Sequence, residues 1–163
     1  MNHEEQITLE TISTIWNCDY HHATQKYPSI DGIFTRQNEL KGIYSIKSRT
    51  QTLSWFKDYK SVVVNIDKII NGADLSKNLR CPYFIIFRTS CKKIILFQIT
   101  DNDGKIICDM NIRARTDEKE PDIRKTITSA YLLIPENLNC FIFDEDKYAE
   151  KVAERYNNRK KED

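Results

Sequence analysis

IDGIFTRQNELKGIYSIKSR, residues 30–49, is the stretch on which a prediction of the fold depends. Its first residues are apolar around Asp31, a polar turn follows, and apolar residues return in Gly42–Lys47. Two apolar runs joined by a short polar turn predict a β-hairpin. We expect the hairpin to bring Asp31 and Lys47 together on one face of a sheet. Ser45 should share that face, because it lies two residues before Lys47 on the same strand.

The hairpin resembles the motif of the PD-(D/E)XK nucleases, in particular their Holliday-junction-resolvase-like and phage branches. Members of this family carry an aspartate on one strand and then a carboxylate, any residue and a lysine on the next, often followed by Ser-Arg. Asp31, Lys47, Ser48 and Arg49 match that pattern. Ser45 departs from it, since it stands where the family has Glu or Asp.

The resemblance implies a metal-dependent phosphodiesterase acting on DNA, with Mg²⁺ or Mn²⁺ as cofactor. Asp31 and the backbone carbonyl of Ile46 would be metal ligands, and Lys47 would be the catalytic lysine. Many members also direct a glutamate of the first helix at the metal, a role that falls here to Glu5. Magnesium prefers oxygen ligands, and it can clamp a phosphate and activate water. A lysine beside it can stabilise the developing negative charge.

The serine at position 45 leaves three hypotheses open, because a neutral hydroxyl binds magnesium more weakly than a carboxylate. In the first hypothesis, the chain is a working nuclease whose second carboxylate comes from Glu39, Glu5 or Asp67. Alternatively, it is a catalytically degenerate relative that binds DNA, or an active enzyme in which Ser45 was introduced. A different class is a protein-interaction module, such as an inhibitor or a virion component, without a role on nucleic acid.

DNA binding would need a local basic patch, since the formal net charge of the chain is only +1 and gives no overall attraction to nucleic acid. Arg49, Ser48 and Lys68 are the candidate DNA contacts, the first two because they follow the motif strand. Lys68 opens the helix after the next strand. A second polar feature, His21-His22, is interpreted as exposed surface, because adjacent residues of an extended segment point to opposite sides.

The chain has 163 residues and is expected to form one domain. We predict a nuclease-like core over residues 4–100 and peripheral strands with a C-terminal helix over 101–163. Five cysteines without CxxC spacing predict free thiols in a reducing, cytoplasmic compartment. No apolar run is long enough for a membrane span, and a homodimer is compatible with the sequence.

The predicted fold class is mixed α/β, a restriction-endonuclease-like core with a mixed central sheet flanked by helices. The β-branched run Lys60–Ile66 is expected to be a strand of that sheet, covered on both faces. Irregular segments are expected at Cys18–Ser29 and, as a charged loop, at Ala114–Thr126. The remaining predicted elements are the helices Glu4–Trp16, Thr52–Tyr59, Asp67–Leu79 (weakened by Gly72) and one beginning at Asp144, and the strands Pro82–Arg88, Lys93–Thr100, Lys105–Ile112, Ser129–Ile134 and Cys140–Phe143.

Overall fold

The computed structural model describes residues 1–24, 30–116 and 126–162, and within them nine strands form two sheets that pack with four helices. The helices are α1 (His3–Trp16), α2 (Leu53–Tyr59), α3 (Ile66–Leu79) and α4 (Glu145–Glu162). The strands are β1 (Asp19–His22), β2 (Gly32–Arg36), β3 (Glu39–Ser48), β4 (Ser61–Asn65), β5 (Tyr83–Arg88), β6 (Lys93–Gln98), β7 (Met110–Thr116), β8 (Thr126–Leu133) and β9 (Cys140–Asp144).

The central sheet has six strands in the order β1-β2-β3-β5-β6-β9. The pair β3–β5 is parallel and its other neighbouring pairs are antiparallel. The prediction of a mixed sheet flanked by helices is therefore confirmed. Along the chain, α1 precedes the antiparallel strands β1, β2 and β3, and a crossover of α2, β4 and α3 then leads to β5, which lies parallel to β3.

One face of the central sheet is covered by α1, whose Leu9 and Ile12 are fully buried at helical spacing. They pack against Tyr44 and Ile46 of β3 and Phe84 of β5. The helix begins after Asn2, whose side chain accepts a hydrogen bond from the Glu5 amide at 2.7 Å. The predicted first helix thus holds one face of the motif strand in place.

The opposite face packs against α2, α3 and a second, three-stranded sheet in the order β4-β8-β7. The β-branched run of β4 is a strand, as predicted, but its place in the central sheet was wrong: β4 pairs with β8. Val62 and Val64 face the core, whereas Val63 is half-buried on the outer face. The alternation is that of a sheet covered on one face only.

Other local predictions need correction. The segment expected to be irregular contains β1, which pairs with β2, while residues 25–29 lie outside the described part. The helix α3 is continuous through Gly72. The glycine leaves room for the ring of Tyr83, with which a Cβ atom at this position would clash. Of the expected charged loop, residues 114–116 and 126 belong to β7 and β8, and 117–125 are not described.

A buried ion pair joins β5 to the start of α4. The Arg88 guanidinium donates to both carboxylate oxygens of Glu145 at 2.8 and 3.2 Å, and the side chains are only 9% and 4% exposed. Thr8 of α1 donates to the same carboxylate at 2.7 Å, and Glu4 lies 3.2 Å from Arg88. This network ties α1, α4 and the central sheet together.

Among the described residues, no helix combines the length and apolar character that crossing a membrane requires.

Candidate functional site

Asp31 lies one residue before β2 and continues its pairing with β3. Its backbone amide donates to the Tyr44 carbonyl at 2.8 Å, and its Oδ2 accepts from the Ile46 amide at 2.8 Å. One carboxylate oxygen thus replaces a strand carbonyl as the partner of β3.

The backbone carbonyl of Ile46 lies at the same edge of β3 as the Asp31 carboxylate. In a strand, the N–H and C=O of one residue face the same neighbouring strand. Since the Ile46 amide donates to Asp31, the Ile46 carbonyl is directed to that side as well. The two oxygen donors that the resemblance assigned to a metal are therefore neighbours.

Ser45, at the position of the missing motif carboxylate, is fully buried. Its Oγ lies 2.8 Å from the hydroxyl of Tyr83 on β5. By strand alternation it shares a face with Ile43 and Lys47, which is the face that packs against α3. Ser45 is thus part of the core in this chain, with its hydroxyl bonded to a tyrosine.

Tyr83 is a residue of the site that the sequence analysis missed. Burial raises the pKa of its hydroxyl, and the negative charge of Asp31 acts in the same direction. Tyr83 therefore contacts Ser45 and lies within electrostatic reach of Asp31. Its ring packs on Gly72 in α3. A glycine in the middle of a helix was the available signal, because it marks a place where another group approaches the backbone closely.

Lys47, Arg49 and Asp31 all lie within electrostatic reach of Lys68, and the three basic side chains are called the basic cluster below. Burial is the main cause of a lowered pKa at Lys68. The charges of Lys47 and Arg49 lower that pKa further, while Asp31 acts in the opposite direction. Two further cations and one carboxylate therefore act on Lys68, and this local excess of positive charge favours the binding of an anion.

Arg49 and Ser48 differ in their placement, although both were predicted DNA contacts. The Arg49 guanidinium lies over the Phe87 ring, 5.3 Å from its centroid, and burial lowers the pKa of Arg49. The Ser48 hydroxyl is buried without a hydrogen-bond partner among the described residues. Strand alternation directs it to the face opposite Lys47. The structure brings Arg49, but not the Ser48 side chain, to the basic cluster.

Glu5 approaches the site from α1 on the other face of the sheet. Burial is the main cause of a raised pKa at Tyr44, and the charges of Asp31 and Glu5 add to it. Both carboxylates therefore lie within electrostatic reach of the Tyr44 hydroxyl. By contrast, Glu4 pairs with Arg88 at 3.2 Å and Glu10 accepts a hydrogen bond from Tyr20 at 2.9 Å.

Glu39 and Asp67, the other carboxylates considered for the site, have different surroundings. Glu39 is at the turn of the hairpin, where it forms an exposed ion pair with Lys41 at 3.1 Å. Asp67 is exposed in the first turn of α3, and its amide is capped by Asn65 at 3.0 Å.

The His21-His22 pair forms separate hydrogen bonds. Nε2 of the exposed His21 lies 2.9 Å from Thr35 Oγ1. Nδ1 of the half-buried His22 lies 3.2 Å from the Tyr44 hydroxyl.

The donors present do not fit a two-carboxylate magnesium centre. Asp31 supplies one carboxylate and Ile46 one carbonyl, whereas the Ser45 hydroxyl is buried against Tyr83. Within residues 1–24, 30–116 and 126–162, no three His, Cys, Asp or Glu side chains form a group that could hold a metal ion. We therefore assign no step to a metal ion in this chain.

The lowered pKa of Lys68 predicts a gain in stability on Lys68→Gln. Because this pKa is lower in the folded chain, the folded state binds fewer protons between the folded and unfolded pKa values, and stability rises with pH there. Below the folded pKa, the charged ammonium costs stability, so Lys68→Gln should raise Tm near neutral pH. The gain should shrink toward pH ~10, close to the ordinary lysine pKa. Thermal melts across this range measure it.

The control is Lys151→Gln, which removes an exposed lysine of α4 and should leave Tm nearly unchanged. A loss of stability in Lys68→Gln that is independent of pH would contradict the electrostatic account.

Comparisons with known proteins find a likeness in three dimensions but none in sequence. No protein-family profile and no curated protein sequence matches the chain. Among solved structures, Hjc of Archaeoglobus fulgidus, a Holliday junction resolvase from an archaeal hyperthermophile, is similar with a TM-score of 0.45 and 10% sequence identity. The likeness covers 76% of this chain and 84% of that one.

Proposed function

We propose that the chain is a nuclease-fold protein that binds DNA at the basic cluster and has lost, or strongly reduced, metal-dependent cleavage. The observation that carries this proposal is that the basic residues lie together, whereas the position of the second motif carboxylate is occupied by a buried serine. Lys47, Arg49 and Asp31 lie within electrostatic reach of Lys68, whereas Ser45 is buried in the core against Tyr83. Phosphate-binding charge is retained where the second metal ligand is absent.

The charge of the basic cluster suits a nucleic-acid backbone better than a neutral partner. The basic cluster has three positive side chains beside the single carboxylate that acts on Lys68, so it has an excess of positive charge although the net charge of the chain is only +1. A phosphate that approaches a partly desolvated lysine stabilises the charged form of that lysine. The contact would displace counterions from DNA and make the affinity depend on salt.

DNA binding measured over a range of salt concentrations tests the proposal. The parent chain should bind a duplex more weakly as salt rises, with a linear relation between log K and log salt. Arg49→Ala and Lys68→Ala should each weaken binding and reduce the magnitude of that slope by about one, as expected for the loss of one phosphate contact. Fluorescence anisotropy with a labelled duplex gives both quantities.

Lys151→Ala is the matched control, because it removes an exposed lysine of α4 that has no place in the basic cluster. Unchanged slopes in Arg49→Ala and Lys68→Ala would assign both residues to ordinary surface. An absence of DNA binding at low and at high salt would favour the alternative class, a protein-interaction module on the same fold.

A further inference from the structure

Two stacked aromatic side chains are exposed on α2, next to the basic cluster. Trp55 and Tyr59 are 46% and 50% exposed, and their ring centroids lie 5.2 Å apart with an interplanar angle of 10°. They are four residues apart and so lie on one side of the helix, while Phe56 faces the core. The two rings therefore present a flat aromatic surface to solvent.

The outer face of the second sheet forms the other wall of a groove of about 550 Å³. Cross-strand pairing places Val63, Tyr131 and Asn111 side by side on that face, followed by Arg113. Its lining includes Arg49, Trp55, Tyr59, Val63, Arg115 and Tyr131, and it is called the aromatic groove below.

Arginines on the outer face are held beside the aromatic rings. The Arg113 guanidinium lies 5.3 Å from the centroid of the Tyr131 ring, and Arg115 Nε donates to the buried Ser129 hydroxyl at 2.9 Å. On α2 itself, Lys57 and Asp58 are both exposed, and their opposite charges cancel. The groove therefore combines aromatic faces with an excess of arginine charge.

Arg49 belongs to both the aromatic groove and the basic cluster. It lines the groove, and its charge acts on the pKa of Lys68. The charges of Lys47 and Asp31 act on the same pKa. A polymer lying in the groove would therefore pass directly to Asp31 and Lys47. Bases need a stacking surface and phosphates need cations, and proteins that bind single strands supply both in one channel.

We propose that the aromatic groove binds single-stranded DNA, stacking bases on Trp55 and Tyr59 and guiding the backbone past Arg49 to the basic cluster. This inference rests on the proposed function, because it names the form of DNA that reaches the same site. Base stacking distinguishes it from a purely electrostatic surface, since stacking needs the bases themselves.

The experiment compares three labelled ligands of equal length binding to the full chain: a thymine oligonucleotide, the same backbone with abasic sites, and a duplex. The parent should bind the thymine strand more tightly than the abasic one. Trp55→Ala and Tyr59→Ala should each weaken binding of the thymine strand by roughly 5- to 150-fold, the range expected for the loss of one stacked base. Affinity for the abasic strand should be nearly unchanged.

Tyr156→Ala is the control, because this tyrosine of α4 is similarly exposed, at 55%, and lies outside the aromatic groove. Trp55→Phe keeps an aromatic face and should retain most of the affinity, which separates stacking from a general effect on α2. Circular dichroism of each variant checks that the fold is intact.

Equal affinity of the parent for thymine and abasic strands would overturn the inference, as would unchanged binding in both alanine variants. In either case, duplex binding that stays dependent on Arg49 and Lys68 would leave the proposed function standing. If none of the three ligands binds at low salt, the proposed function itself fails and the inference fails with it.

Discussion

Ser45→Glu is expected to give the chain a metal-dependent rise in thermal stability that the parent lacks. A glutamate at position 45 would add a second carboxylate to Asp31 and the Ile46 carbonyl, which already lie together at the edge of β3. A ligand that binds only the folded state stabilises it by about 2.7 kcal/mol at a hundred times its Kd. For a chain of this size, each kcal/mol raises Tm by about 2–4 °C.

Because Tyr83 lies beside position 45, the Ser45→Glu variant needs a second substitution. Its hydroxyl lies 2.8 Å from the Ser45 Oγ in a fully buried position, so a longer side chain at 45 meets it directly. Overpacking of a core costs about 1–3 kcal/mol. We therefore expect Ser45→Glu combined with Tyr83→Phe to fold better than Ser45→Glu alone, because the hydroxyl is removed and the ring keeps its place on Gly72.

Ser45→Gln with Tyr83→Phe is the matched control, since glutamine has the size of glutamate without its charge. Melting curves with and without Mg²⁺ or Mn²⁺, together with cleavage assays on duplex, single-stranded and junction DNA, are the measurements. A folded Ser45→Glu variant that neither responds to metal nor cleaves any DNA form would make Asp31 a strand-capping residue only. Cleavage by the parent that is lost in Glu5→Ala would show instead that α1 supplies the second carboxylate.

Arg88→Met is expected to cost about 3–5 kcal/mol of unfolding free energy, the range for breaking a buried ion pair. It would leave the Glu145 carboxylate, 4% exposed, with the Thr8 hydroxyl as its remaining side-chain partner among the described residues. Glu145→Leu should cost less, because Arg88 keeps Glu4 at 3.2 Å. Urea unfolding at constant pH measures both losses.

The double variant Arg88→Met with Glu145→Leu should recover much of the loss, because an apolar pair of similar volume avoids an unpaired buried charge. Lys92→Met is the control: its ion pair with Asp146 is 3.8 Å long and highly exposed, and such pairs contribute at most about 1 kcal/mol. If Arg88→Met costs no more than Lys92→Met, the network does not hold α1 and α4 on the sheet.

The local elements of this fold could be predicted from the sequence, because each depends on a short pattern. The spacing of Leu9 and Ile12 predicts α1 within one residue of its observed start, and the alternation in residues 30–49 predicts the β2–β3 hairpin. The partner of β4 could not be predicted, since a run of valines indicates a strand without indicating which sheet it joins. Its neighbour, β8, lies on the order of sixty residues further along the chain.

The candidate site also has one part that could be predicted from the sequence and one part that could not. Asp31 and the motif strand come from one hairpin, so their proximity follows from sequence spacing alone. The bond between Ser45 and Tyr83 joins residues 38 positions apart and depends on the parallel register of β3 with β5. No pattern near Ser45 predicts that a tyrosine hydroxyl fills the place beside it, and only Gly72 hinted at close packing.

The pairing of β4 with β8 has a consequence for how the protein is made on the ribosome. At roughly 5–20 residues per second, several seconds of translation separate the release of β4 from that of β8. During this interval the valines of β4 have no sheet partner, although the β2–β3 hairpin can already form. Nascent chains should therefore pass through a stage that exposes an unpaired, apolar strand edge, which is a substrate for chaperones and a starting point for aggregation.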